Sequence, residues 1–389
     1  MTRRSFKDHL DPNITPKRIL SLDGGGLRGV LTVAFLKKIE DILLKEWASG
    51  DLNFRLSDYY DLIGGTSTGS IIAAGLALGM SVDEIRAHYF SLGEKVFKPG
   101  LFSLGVLSQR YDAAKVAAAL KGVFGDLTLG SNDFKTGLLI MSKRLDTGSP
   151  WPLTNNPNAR YFNARAGQTT VPNKDYPLWS VVRASTAAPT YFEPESILIK
   201  AADAASGLLA VQGEFVDGGV STANNPALQL VLMATVKGYG FGWQMGDDKL
   251  SVTSVGTGRA SSELGLSAGV GSLAALHAVK ALNSVLEDCA DLVEIVMQWM
   301  SHSPTARAID RDIGTLEGSH AGTGPCLTYL RYNIHFEPEW FSKNLEMPMS
   351  RELLDDLAKM DKPGNMRQLE QIGQLAAERF IRPEHFAGL

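Results

Sequence analysis

The amino-acid sequence predicts an α/β fold with a central, mostly parallel sheet. Two strand–turn–helix units follow one another between residues 18 and 80, and further short apolar runs occupy residues 137–142 and 250–258. Short, largely apolar runs that contain no charged residue are typical of strands that are buried on both faces of a parallel sheet. Of the 389 residues, 44% are hydrophobic and 21% are charged, so the chain has enough apolar material for a sizeable core.

The first unit leads from a strand through a glycine run into a helix. RILSL at residues 18–22 predicts a short buried strand, and DGGGLRG follows it directly. Apolar residues at helical spacing over residues 30–47 then predict a helix that ends at Gly50. Because glycine costs about 0.5–1 kcal/mol relative to alanine in regular structure, three consecutive glycines indicate a local requirement.

The second unit repeats this order. YYDLIGG at residues 59–65 predicts a strand, TSTGS a turn, and residues 71–80 a helix that stops at Gly79. SVDE at residues 81–84 predicts a capping box for the next helix. Two such units in succession are typical of the α/β class.

Three later segments complete the predicted organisation. Residues 155–177 are rich in turn formers and predict a surface excursion, and residues 365–380 predict an amphipathic helix. Residues 270–300 predict a helix, and its part over residues 285–300 is expected to pack on a core, with a dimer seam or a lipid-contacting cover as alternatives. Its apolar stripe comprises Val285, Cys289, Leu292, Val296 and Trp299, widened by Leu286, Val293 and Met300. We expect the acidic residues to lie largely off this stripe and to disfavour docking on anionic lipid: Glu287, Asp288, Asp291 and Glu294.

Charge and cysteine content exclude several classes of protein. A net charge of −4 gives no general attraction to nucleic acid polymers. Cys289 and Cys326 are too few for a disulfide framework, which favours a cytoplasmic location. No apolar segment follows the basic N-terminal residues, so no secretory signal is predicted. The longest uncharged stretch, residues 62–82, begins with glycine, serine and threonine, and we therefore predict a soluble protein.

The glycine run Gly24–Gly29 matches G-x-G-x-x-G, for which several uses exist. A dinucleotide-binding turn also requires an acidic residue at the end of the next strand, but Glu40 and Asp41 fall within the predicted helix. A P-loop would need a Lys-Ser/Thr pair, which is missing. Backbone N–H groups bared by glycines can instead form an oxyanion hole, with Arg28 adding positive charge. A purely structural turn and a phosphate cradle in a nucleotide-binding protein remain as alternatives.

The second motif predicts a nucleophile elbow. Gly65, Ser67 and Gly69 form G-x-S-x-G between a predicted strand and a predicted helix. In this context a sharp turn exposes the serine hydroxyl, and the small flanking residues allow the two backbones to cross. A plain turn of glycine, serine and threonine is the alternative.

A serine nucleophile needs a base, and the sequence offers two kinds. Asp217-Gly218-Gly219 follows the predicted strand EFV, so Asp217 could serve as a general base, although Asp-Gly-Gly is also common in hairpin turns. The late histidines His277, His302, His320 and His335 could complete a triad, but none stands in a context that marks a catalytic loop.

Taken in order, DGGGLRG, GTSTG and DGG resemble the patatin-like phospholipase family, and VVRASTAAPTYFEP at residues 181–194 is similar to another stretch of that family. The resemblance covers roughly residues 17–260. It implies a three-layer α/β/α sandwich, a modified α/β-hydrolase-like fold with C-terminal helices. It also implies a Ser67–Asp217 dyad, neither metal nor cofactor, and hydrolysis of phospholipid acyl esters. The oxyanion hole would comprise Gly24, Gly25, Gly26 and Arg28.

The resemblance also implies a domain organisation and a setting. Residues 1–16 would form an N-terminal extension, residues 17–260 the catalytic core, and residues 261–389 a helical part packed on the same domain. The chain is also similar to compact bacterial members of the family that act as anti-phage effectors and are switched on by a cyclic dinucleotide. We therefore expect transient contact with the inner face of the membrane, and self-association remains open.

Overall fold

A mostly parallel sheet organises the computed structural model, which describes residues 3–96, 111–165, 167–189, 191–204, 207–260 and 273–387. The strands within these ranges are β1 Lys17–Leu22, β2 Leu62–Thr66, β3 Gly137–Arg144, β4 Pro150–Thr154, β5 Glu195–Lys200, β6 Val211–Asp217, β7 Leu250–Val255, β8 Ser301–His302 and β9 Leu327–Tyr332. The α-helices are α1 Phe6–Leu10, α2 Gly29–Glu46, α3 Leu56–Tyr59, α4 Thr68–Ala77, α5 Val82–Val96, α6 Ala113–Phe124, α7 Leu178–Ser185, α8 Ala227–Thr235, α9 Leu273–Met300, α10 Pro338–Leu345, α11 Arg351–Leu357 and α12 Met366–Phe380.

The strand order is β5-β6-β3-β2-β1-β7-β9-β8, with β4 paired to β3 outside this path. The pairs from β3 through β2, β1, β7 and β9 to β8 are all parallel. Strands β4 and β6 run antiparallel to β3, and β5 runs antiparallel to β6. The predicted α/β class and the mostly parallel sheet are confirmed.

Two separate apolar cores lie on the two faces of the sheet. Along β3, Leu138 and Ile140 enter the core formed with helices α2, α4–α7 and α10–α12, whereas Leu139 and Met141 enter the core formed with α8 and α9. Alternate side chains of a strand point to opposite faces, so one strand contributes to both cores. The predicted three-layer α/β/α arrangement follows from this division.

The first predicted elements are confirmed, with small shifts at their ends. Helix α2 ends at Glu46, and Gly50 adopts a φ of 80°. Strand β2 begins at Leu62, three residues later than predicted, because Leu56–Tyr59 form helix α3. The predicted capping box is present, since the Ser81 N–H donates to Glu84 Oε2 and the Glu84 N–H donates to Ser81 Oγ.

Helix α9 packs on a core as predicted, through Val293 of the predicted stripe, but most of the predicted face is wrong. Val285, Leu292 and Trp299 are exposed, while Glu294 is buried. Glu294 accepts hydrogen bonds from the guanidinium groups of Arg307 and Arg331. These buried ion pairs orient the helix with a carboxylate inward and much of the apolar stripe outward. The sequence periodicity could not reveal the two partners.

Two further predictions can be compared with the fold. Residues 155–177 are not entirely a surface excursion, because Asn155 and Asn156 are buried and Asn155 Oδ1 accepts a hydrogen bond from the Leu138 N–H. The helix predicted over residues 365–380 corresponds to α12, whose apolar side packs on the same core as α2. Among the described helices, none combines the length and the apolar character needed to cross a bilayer.

Candidate active site

Ser67 stands at a strained turn between β2 and α4. Its φ of 54° and ψ of −129° place it in a region that L-residues rarely occupy, as a nucleophile elbow requires. The backbones cross so closely that a Cβ on Gly65 would collide with the Gly69 carbonyl. The Ser67 N–H donates to Ser185 Oγ at 2.9 Å, and that hydroxyl donates to the Met141 carbonyl at 2.5 Å. Ser185 therefore anchors the elbow to β3.

Asp217 reaches the serine from the end of β6, 150 positions away along the chain. The Ser67 hydroxyl donates to Asp217 Oδ2 at 2.5 Å, and the Gly219 N–H donates to Asp217 Oδ1 at 2.7 Å. Burial raises the pKa of Asp217 to about 6, although the two hydrogen bonds and the charge of Arg183 act in the opposite direction. The carboxylate can thus accept a proton near neutral pH.

The two glycines after Asp217 serve close packing. Gly218–Val220 form a single 3-10 turn, not the hairpin turn that was the alternative interpretation of Asp-Gly-Gly. A Cβ on Gly218 would lie 2.5 Å from the Met141 carbonyl oxygen. The chain can therefore turn beside β3 only with a residue that lacks a side chain at this position.

The glycine loop after β1 lies against the elbow and is held from two sides. The Gly24 N–H donates to the Asn224 carbonyl at 3.1 Å, and the Leu27 N–H donates to the Met360 carbonyl at 2.7 Å. Gly26 has a φ of 58°, and a Cβ there would collide with the same Met360 carbonyl. Both its backbone conformation and this contact require glycine.

Two backbone N–H groups of the glycine loop remain available to donate hydrogen bonds to a bound substrate. Among the residues that the structure describes, the N–H groups of Gly25 and Gly26 donate to no protein acceptor. Both glycines line a cavity together with Ser67 and Asp217. Thr68, the first residue of α4, lines it as well. Its N–H lacks an intrahelical acceptor, as first-turn amides do. A carbonyl oxygen placed beside Ser67 would meet these donors.

Arg28 takes a different place from Gly25 and Gly26. Its side chain is buried and its guanidinium lies over the ring of Phe336, 5.8 Å from the ring centroid. Burial lowers the pKa of Arg28. Arg28 is not among the residues that line the cavity, so it is not placed to contact a developing anion there.

A buried ion pair beneath the loop was not predicted from the sequence. Both oxygens of Asp23 accept hydrogen bonds from Arg331 of β9, at 2.6 and 3.0 Å. Arg331 also donates to Ser254 Oγ at 2.8 Å. The aspartate that opens DGGGLRG was the available signal, but its partner lies 308 residues away. Ser185 likewise lies within residues 181–194, the stretch that resembles the family, but no role was predicted for it.

The cavity beside Ser67 has a volume of about 150 Å³ and is lined mainly by apolar side chains. It extends between α5 and α6, and the lining side chains away from Ser67 include Ile71, Leu92, Val96, Val116, Leu286 and Met360. Leu286 belongs to α9 and Met360 to the segment between α11 and α12. A mainly apolar cavity that Ser67 also lines suits a hydrocarbon chain attached to a reactive carbonyl.

The histidine triad receives no geometric support in the part of the chain described here. The two oxygens of Asp217 bind Ser67 and Gly219, and no histidine hydrogen-bonds to either Ser67 or Asp217. His302 and His320 are exposed. His335 stacks on Trp340. The side chain of His277 lies outside the described residues.

The phosphate-cradle hypothesis also finds few donors. The amides of Gly24 and Leu27, two of those that such a cradle would use, already donate to backbone carbonyls. Within the described ranges, no group of three or more histidine, cysteine, aspartate and glutamate side chains is arranged to hold a metal ion.

Comparisons with known proteins agree with this site. The chain is 32% identical over 215 residues to a cGAMP-activated phospholipase of Escherichia coli (strain TW11681), covering 54% of this chain and 53% of the relative. A cGAMP-activated phospholipase of Vibrio cholerae serotype O1 is 33% identical over 220 residues, covering 54% and 55%. An intracellular phospholipase A2 of Caenorhabditis elegans is 29% identical over 293 residues, covering 72% and 23%.

These matches span about half the length of the two bacterial relatives and a smaller share of the nematode protein. The family model described as patatin-like phospholipase matches residues 20–231, which include the glycine loop, the elbow and Asp217. The chain therefore belongs to the patatin-like phospholipase family.

Proposed function

We propose that the chain is a lipid acyl hydrolase that cleaves acyl esters of phospholipids through a Ser67–Asp217 dyad. The observation that carries the proposal is the 2.5 Å hydrogen bond from Ser67 Oγ to Asp217 Oδ2, two residues that line a mainly apolar cavity. The phospholipase names of the relatives support the same class of substrate.

The chemistry proceeds in two steps. Ser67 Oγ attacks the ester carbonyl carbon while its proton passes to Asp217 Oδ2, and the resulting oxyanion accepts hydrogen bonds from the Gly25 and Gly26 N–H groups. Collapse breaks the bond to the alcohol, which leaves with the proton from Asp217, and an acyl-enzyme remains. Asp217 then takes a proton from water, the hydroxide attacks the acyl carbon, and Ser67 regains a proton as the fatty acid departs.

The test compares three sets of variants on a monomeric ester and on phosphatidylcholine. Ser67→Ala and Asp217→Ala each reduce turnover by a factor of about 10³ or more while the fold persists. A combined replacement of His277, His302, His320 and His335 retains appreciable turnover. Loss of turnover on replacing any one of these histidines would instead favour a triad.

Activation by a cyclic dinucleotide is a second part of the proposal. It is supported by the names of the two bacterial relatives, which match over half of the chain. To test this part, hydrolysis is measured with and without each member of a panel of cyclic dinucleotides. A specific activator raises the rate, whereas the other members do not. Equal rates with every cyclic dinucleotide would contradict activation but would leave the proposed Ser67–Asp217 dyad standing.

The proposed organisation follows the same division as the sequence analysis. Residues 17–260 form the catalytic core, residues 1–16 extend it, and residues 261–389 add helices to the same domain, together with β8 and β9 of the central sheet. The packing of α12 and α2 in one core supports this arrangement for the described residues. In this proposal the protein works in the cytoplasm at the inner face of the membrane.

A further inference from the structure

Four exposed apolar side chains are concentrated on the hairpin that β5 and β6 form. They are Leu198, Leu208, Leu209 and Val211, which we call the apolar hairpin tip. Leu209 is 85% exposed and Leu208 is 53% exposed. Isolated exposed leucines are common on proteins, but four on one projecting element indicate a contact surface.

Strand register places this tip on the side of the molecule that holds the dyad. Ser142 of β3 pairs with Asp217, and β3 runs parallel to β2, which ends just before Ser67. Because β6 is antiparallel to β3, its earlier residues extend beyond the carboxyl edge of the parallel strands. Val211 is six positions before Asp217. At the usual rise per residue, it lies about 20 Å beyond the dyad.

The backbone of the hairpin is already paired, so its edge does not invite strand addition by another chain. Asp203 and Leu208 exchange two backbone hydrogen bonds near the turn, at 2.9 and 3.0 Å. On the outer edge of β5, the Val171 N–H donates to the Ile199 carbonyl and the Ala201 N–H donates to the Thr169 carbonyl, both at 2.9 Å. A partner of the apolar hairpin tip would therefore contact its side chains and not its backbone.

The charge of the tip suits the headgroup boundary of a neutral lipid layer. Between residues 200 and 211 the sequence holds one lysine, Lys200, and one aspartate, Asp203. Small and apolar residues make up most of the remainder. Elements that penetrate the headgroup and acyl boundary gain chiefly from burying apolar side chains, and a net charge near zero adds no electrostatic repulsion.

We propose that the apolar hairpin tip inserts into a lipid surface and so places the dyad over its substrate. The inference rests on the proposed function, since it assigns a lipid layer as the partner of the same site. Insertion of Leu208 and Leu209 would bring the lipid surface to the carboxyl edge of the sheet, where Ser67 and Asp217 lie.

The chain offers a matched control for the test. Leu52 is 83% exposed and follows the end of α2, which begins beside the glycine loop and runs back along the sheet. Leu52 therefore lies toward the opposite edge. The variants Leu208→Ser/Leu209→Ser and Leu52→Ser are compared with the unmodified chain. Binding to phosphatidylcholine vesicles is measured in the Ser67→Ala background, so that hydrolysis does not alter the vesicles.

We expect vesicle partitioning of Leu208→Ser/Leu209→Ser to fall at least about tenfold, because two apolar side chains are lost from the contact. Leu52→Ser stays within about twofold. In the active background, hydrolysis of vesicle phospholipid falls with partitioning, whereas hydrolysis of a monomeric ester is unchanged. Thermal unfolding confirms that the variants remain folded.

Three results would overturn the inference: unchanged partitioning of the double variant, an equal loss in Leu52→Ser, or a dimer that the double variant converts to a monomer while vesicle binding persists. If vesicle binding follows expectation but neither ester is hydrolysed by the unmodified chain, the docking surface stands. In that case it is the proposed function that fails.

Discussion

The guanidinium of Arg331 and the carboxylate of Asp23 form a buried, bidentate ion pair that joins β9 to the beginning of the glycine loop. Each side chain is under one-tenth exposed. The pair fixes the point where β1 ends and the loop begins, next to the elbow that carries Ser67.

Removing one member of this pair should destabilise the protein more than removing both. Arg331→Met leaves the Asp23 carboxylate buried without its guanidinium and removes one of the two arginine partners of Glu294, which together cost about 3–5 kcal/mol in the free energy of unfolding. Asp23→Asn combined with Arg331→Met should recover a large part of this loss. Urea unfolding of both single variants and the double variant measures the coupling. Strictly additive effects would contradict the pairing.

The pH dependence of hydrolysis should report the ionisation of Asp217. Burial raises its pKa to about 6, and only the deprotonated carboxylate can accept the proton of Ser67. The rate on a monomeric ester should therefore fall as the pH drops through about 6. A rate profile measured between pH 4 and 9 checks this, and a rate that stays constant down to pH 4 would disagree with the proposed base.

Asp217→Asn should make the protein more stable at neutral pH while it abolishes turnover. The folded-state pKa lies above the ordinary value of 3.8, so the stability associated with Asp217 is fully present below pH 3.8 and is lost as the pH rises through about 6. Ionisation thus costs at most about 3 kcal/mol, which a neutral amide avoids. Melting curves at pH 8 and pH 4 should show a gain that is confined to pH 8.

Ser185→Ala should slow the chemical step without weakening substrate binding. The Ser67 N–H loses its acceptor, and a small shift of the elbow misaligns Ser67 Oγ with Asp217. We expect kcat to fall about 10- to 100-fold, while KM changes less than about twofold.

Ser180→Ala is the control for that experiment because it removes another buried hydroxyl from α7, one that donates to Glu195. Its kcat should stay close to that of the unmodified chain. An equal loss of kcat in both variants would show that α7 is merely destabilised.

Gly26→Ala should abolish the proposed ester hydrolysis and reduce the stability of the protein. The left-handed conformation costs about 1–2 kcal/mol for an L-residue, and the new Cβ displaces the Met360 carbonyl from the Leu27 N–H. Gly122→Ala in helix α6, where a Cβ meets no atom within 4 Å, should instead stabilise the protein by about 0.5–1 kcal/mol. Thermal unfolding and ester hydrolysis of the two variants separate these effects.

Much of the fold could be predicted from local patterns. The strand of residues 18–22, the turn at Ser67 and the helices on either side are specified by residues that are neighbours in sequence. Apolar runs, capping residues and glycine at a sharp turn all act over a few positions. These elements were accordingly found close to their predicted bounds.

Contacts between residues that are distant in sequence were harder to predict from the sequence. Arg331 and Met360 hold the glycine loop from more than 300 positions away, and neither carries a recognisable local signal. The face of α9 was misassigned for the same reason, since Glu294 is buried only because Arg307 and Arg331 lie opposite it. A periodic pattern reports hydrophobicity along one element and is silent about its partners.

The support of the glycine loop by Met360 and Arg331 limits how this protein can be engineered. Both supports come after residue 231, where the family match ends. A graft of residues 20–231 onto a foreign scaffold would carry Ser67, Asp217 and the Asn224 carbonyl that binds the Gly24 N–H, but it would lose the contacts that Met360 and Arg331 make with the glycine loop. A working chimera must therefore transplant β9 and the segment before α12 together with the three motifs.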